Sequence, residues 1–95
     1  MTKQFFKIER NAKLDAAITR AKAGKLFVRP TVTFRRYIVI NRENGHAYTV
    51  EFDRTASGTK LGRCSCDSKV LCKHLAASLP LHLLIASRRF SQPTN

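Results

Sequence analysis

The sequence is short of acid. Only 6 Asp and Glu stand against 18 Lys and Arg in 95 residues, a formal net charge of +12 with an isoelectric point near 10.5. An excess of one sign speaks to partners more than to fold. Long apolar runs are missing too. The longest apolar stretch, Leu75 to Ala86, contains Ser78, Pro80 and His82 and falls short of the ~18 residues a membrane span needs. Met1 to Arg10 holds no apolar segment of signal-peptide length. Cysteine is sparse, and its three copies all lie between Cys64 and Cys72, which is no basis for a disulfide framework. A reducing, cytoplasmic compartment is the simplest expectation. No low-complexity tract or repeat divides the chain, and only residues 91–95 read as a tail, so residues 1–90 are expected to form one domain.

What is present argues for a folded unit. At 43% hydrophobic residues and a mean hydropathy of −0.27, the chain is too apolar for a disordered basic tail. A domain this short buries only about 60–65% of its unfolded surface. It needs a staple besides its core.

The apolar spacing Leu14, Ala17, Ile18, Ala21 predicts a helix from Asn11, a fitting N-cap, to Ala23, with Gly24 as its stop. Leu26-Phe27-Val28 reads as a short extended piece broken by Pro30, and Thr31 to Ile40 as a strand. In that strand Val32, Phe34, Ile38 and Ile40 share one parity, interrupted by Arg36, against Arg35, Tyr37 and Val39. Asn44-Gly45 marks a hairpin turn. His46 to Asp53 returns with Tyr48, Val50 and Phe52 as its burying face, and a turn at Ser57-Gly58 leads to a third strand, Lys60 to Cys64. His74 to Arg89 reads as a helix that Pro80 kinks or restarts. The expectation is α+β: a basic N-terminal helix and extended lead-in over residues 1–30, then a three-stranded antiparallel meander and a kinked C-terminal helix over residues 31–90.

The chemistry concentrates in Cys64-Ser65-Cys66-Asp67-Ser68-Lys69-Val70-Leu71-Cys72-Lys73-His74. Cysteines at i and i+2 share a face in extended chain and point apart in a helix. The spacing therefore places Cys64 and Cys66 at a strand end, and Cys72 just before a helix whose first turn carries His74. The boundaries read from apolar pattern alone fall in the same places. Isolated free cysteines are often inert core residues, but three with a histidine at this spacing form a Cys3His set. That set suits one structural zinc, and thiolates favour zinc over what Asp67 offers.

These residues resemble the SWIM-type zinc finger, whose pattern is C-x-C, a variable gap, then C-x-H, at Cys64, Cys66, Cys72 and His74. Tyr48-Thr49-Val50 resembles that family's strand leading to the first cysteine, and Cys72-Lys73-His74-Leu75-Ala76-Ala77 its C-x-H with an apolar helix. The similarity covers roughly residues 34–80; the gap before Cys72 lacks the Gly or Pro the family often has there. The resemblance implies a zinc-bound strand–strand–helix unit acting as an accessory module that binds DNA or other proteins.

The remaining signal is basic. Arg35, Arg36, Arg42, Arg54, Lys60, Arg63, Lys69 and Lys73 lie along strands, turns and the zinc loop, and a further set covers the N-terminal third. So many unmatched cations on a small surface predict phosphate contacts with nucleic acid, most simply DNA, near the finger. The alternative is an adaptor for an acidic protein partner in a larger assembly. No small-molecule substrate is expected. Catalysis is not expected either: catalytic zinc keeps an open position, and no His-x-Glu stands beside the cysteines. His46 and His82 read as turn and helix-packing residues, and nucleoid association follows from the DNA expectation.

Overall fold

A computed structural model describes residues 5–67 and 71–91, with side chains as far as Arg88. Strand β1 (Phe6–Lys7) is followed by helix α1 (Ala12–Ala23). Asn11 caps α1, its side-chain oxygen accepting from the Leu14 amide at 3.1 Å, which satisfies one of the helix's unpaired first-turn donors. Leu14 and Ala17 are buried, and the stripe they begin packs α1 against the second helix.

The sheet has five strands where three were expected. β2 (Leu26–Pro30), β3 (Arg36–Asn41), β4 (Ala47–Arg54) and β5 (Lys60–Cys64) join β1 in the antiparallel order β1-β5-β4-β3-β2. Leu26–Pro30 is therefore not a loose lead-in: it pairs residue for residue with β3, from Leu26↔Asn41 to Pro30↔Tyr37. Pro30 is tolerated because β2 is an edge strand, where a missing donor breaks little. At the other edge, Phe6↔Gly62 and Lys7↔Leu61 attach β1 to β5. Both added strands are too short to show an alternation in sequence.

The strand expected over Thr31 to Ile40 begins only at Arg36. Thr31 to Arg35 turn the chain: the Thr31 hydroxyl donates within the bend to Thr33 and Arg36 carbonyls at 3.1 and 2.9 Å, and Arg35 adopts φ +75°. Register then decides which face is buried. Tyr37 lies opposite Val50 and Val39 opposite Tyr48, so the inner face of β4 draws the smaller parity of β3 inward. Tyr37 and Val39 are fully buried, while Ile38 is 37% and Val32 106% exposed. Gly45 and Gly58 make the β3–β4 and β4–β5 hairpin turns at φ +76° and +94°, a region costly for any residue with a Cβ.

Helix α2 (Lys73–Ser91) is one element running through Pro80, which corrects the expected restart. Pro80 is exposed, and its missing N–H removes a single rung. Leu75 before it packs on Gly62 and His82 after it stacks on Phe52, both on the inner face of the sheet. That burial outweighs the lost rung. Among the described residues no helix is long and apolar enough to cross a membrane.

The outer face of the sheet carries a charge ladder. Glu51 stands between Arg36 and Arg63 in register, bonded to Arg36 at 3.1 Å and to Arg63 at 3.1 and 2.9 Å. Burial pushes the Glu51 carboxyl up, but the two guanidiniums outweigh it and hold it below the usual carboxylate range.

Candidate metal centre

The ligand atoms of Cys64, Cys66, Cys72 and His74 all lie within 4.8 Å of one another. Cys64 ends β5, Cys66 sits in the bend just beyond it, Cys72 immediately precedes α2, and His74 is in its first turn. A tetrahedral zinc with Zn–S bonds of ~2.3 Å sets its sulfurs about 3.8 Å apart, so the four need draw in by at most about 1 Å. Cys64, Cys72 and His74 are buried.

Two features of the buried groups fit a metal. Both ring nitrogens of His74 are buried with no hydrogen-bond partner among the described residues, an arrangement that costs a native protein free energy and that a metal bound to one of them would relieve. The buried sulfurs also face each other closely: the Cys64–Cys72 hydrogen bond and then burial push the Cys64 thiol up, while that same bond holds the Cys72 thiol down. Cys72 further accepts from the Leu75 amide at the start of α2, where the helix dipole favours a thiolate. These residues can hold one metal ion, and the sulfur-rich donor set selects zinc among common divalent ions.

The surrounding shell was not legible as such. Ser65 fixes the cysteine corner to β4 through a reciprocal pair: the Thr49 amide donates to the Ser65 hydroxyl and the Ser65 amide to the Thr49 carbonyl, both at 2.9 Å. Arg20, at the far end of α1, donates to the Leu71 carbonyl at 3.0 Å, tying the N-terminal helix to the residue before Cys72. The buried Ser78 hydroxyl bonds back to the His74 carbonyl at 2.8 Å. Tyr48, expected only as core, is half-buried and stacks on the His74 ring at 4.2 Å. The one sequence signal was its parity with Val50, which pairs with Cys64. Metal-binding histidines are usually oriented by a hydrogen bond from the second nitrogen; here the Tyr48 ring takes that part. Tyr48→Ala is expected to weaken metal affinity by about 10- to 100-fold, as outer-shell losses do. Competition with a chromophoric chelator measures it, and unchanged affinity would remove Tyr48 from the site.

The basic residues do not form one patch around the metal. Arg35 is paired with Asp53 at 3.2 Å, and Arg36 and Arg63 share the single carboxylate of Glu51, so three of the eight are ion-paired. Arg42, in the β3–β4 turn, and Lys73, at the start of α2, belong to the metal end of the sheet. Arg54 and Lys60 face each other four residues up β5 from Cys64. Lys69 lies outside the described residues. His46 is exposed in its turn, and His82 packs into the core, stacked on Phe52; neither approaches the ligand cluster. No protein-family model matches the chain, and comparison with curated proteins and with solved structures returns no match.

Proposed function

We propose that the protein is a zinc-held binding module of the SWIM type that engages nucleic acid through phosphates, and that its metal is structural. Four protein donors fill a tetrahedral zinc and leave no position for a reacting water, which is why we read it as a non-enzyme. The observation that carries the nucleic-acid reading is the surplus of cations without carboxylates: Arg29, Arg42, Arg54, Lys60 and Lys73 make no ion pair among the described residues. Such charges repel one another unless a polyanion neutralises them.

The test is binding of labelled random-sequence DNA across a salt series. Engagement of roughly 4 to 7 phosphates gives a log–log slope of about −0.9 per phosphate. Arg42→Ala and Lys73→Ala should each flatten the slope by about one. Arg63→Ala should change it less, because Glu51 already occupies that guanidinium. A slope near zero would overturn the reading, and retention of an acidic protein by the same chain would put the adaptor function in its place.

A further inference from the structure

The end of the sheet away from the metal carries a second site. Between the β4–β5 hairpin and the later turns of α2 lies a cleft of about 280 Å³ with Phe34, Phe52, Leu79 and Leu83 in its lining. It is near the lower end of ligand-pocket sizes, about 300–1,000 Å³, and suits one ring system rather than a large cofactor. Its wall is fixed by His82, which stacks on Phe52 at 4.4 Å and bonds the Tyr37 hydroxyl through Nδ1 at 3.1 Å. Leu83 is 43% exposed at the mouth.

Arg54 and Lys60 also line the cleft. They stand directly opposite each other in the β4–β5 ladder, both exposed, and neither has an ion-pair partner among the described residues. Like charges facing across a ladder are destabilising. The nearby acid, Asp53, is bonded to Arg35 instead. The field reaches the cleft wall: burial, then the charges of Arg35 and Lys60, hold His82 below the usual histidine range. An anion between Arg54 and Lys60 offsets this repulsion, and the apolar lining receives whatever ring the anion carries.

We propose that the cleft takes one unpaired nucleotide, its base against the Phe34 and Leu83 side and its phosphate between Arg54 and Lys60. The inference rests on the nucleic-acid reading and narrows it toward single strands, because a base inside a duplex is stacked and cannot enter.

The zinc-loaded full chain is tested with a labelled single strand of about a dozen nucleotides, its duplex, and free adenosine monophosphate, each against wild type, the R54A/K60A double variant, Leu83→Glu and Arg42→Ala, with circular dichroism confirming that every variant is folded. The single strand should bind more tightly than the duplex. Both cleft variants should lose about tenfold or more on the single strand beyond whatever they lose on the duplex, since charge goes with both forms and base contacts with the single strand alone. Arg42→Ala should weaken both forms equally. Saturable shifts of the Phe34 and His82 resonances by the monophosphate identify a free nucleotide as a ligand, whereas shifts with the strand alone identify a nucleotide within a chain; both support the site. Equal losses on strand and duplex in the cleft variants, or no loss, overturn the cleft and leave the nucleic-acid reading standing. Failure to bind either form overturns both.

Discussion

Cys72→Ser, or treatment with a strong chelator, is expected to unfold the region joining β5 to α2 and with it most of the domain. The four ligands tie together the end of β5, the bend after it, and the start of α2. Structural zinc contributes an apparent ~10–16 kcal/mol in finger peptides at neutral pH, while domains of ordinary size are stable by only ~5–15 kcal/mol in all. Losing the metal also leaves unpaired the one buried His74 nitrogen that would bind it, which has no other partner among the described residues, at a cost of about 1–3 kcal/mol. Elemental analysis should return one zinc per native chain, and far-ultraviolet circular dichroism should collapse on chelation and return when zinc is restored. A Cys72→Ser protein with native spectra and no metal would rule out a structural role for the site.

Leu75→Ala carries the next largest effect and separates core from metal. Leu75 is 1% exposed and sits over Gly62, so closely that a Cβ at Gly62 would lie 2.8 Å from its Cδ2. Gly62 is thus the floor on which α2 rests. Truncating the leucine opens a cavity between helix and sheet, costing about 2–5 kcal/mol. In a domain of this size each kcal/mol lowers Tm by about 4–8 °C, so melting should fall by tens of degrees. Zinc stoichiometry should stay at one, because no ligand is touched. A melting temperature lowered by only a few degrees would mean that α2 can settle into the space, and that the helix is held by its metal end rather than by its packing.

The ligand set was legible because its spacing is local: four donors within a short segment show themselves without knowledge of the fold. α1 was legible for the same reason, its cap and stripe being consecutive signals. The number of strands was not. β1 offers two residues and β2 five, and what makes them strands is a partner far along the chain. The buried side of β3 was hidden likewise, since Val32 and Phe34 pointed the alternation to the wrong parity and only pairing with β4 sets it. Pro80 suggested a restart that tertiary burial overrides, the helix continuing through it. Tyr48 reaches the site from a strand to a helix and Arg20 from a helix to the segment before Cys72, and no sequence window contains both ends of either contact.

The sheet is closed at one edge by two residues that come from the other end of the chain. Phe6 meets Gly62 across fifty-six positions, whereas Cys64 and His74 stand ten apart. Loop-closure entropy rises as (3/2)RT ln n, so bringing β1 home costs about 1.5 kcal/mol more than gathering the ligands, and it yields far fewer contacts. An order of assembly is expected from this: the metal knuckle and the three hairpins are short loops that can close early, on the sub-millisecond scale of such events, and β1 should add last, as a latch laid over a structure already formed. A latch of this kind governs how easily the sheet's edge opens without governing whether the domain folds.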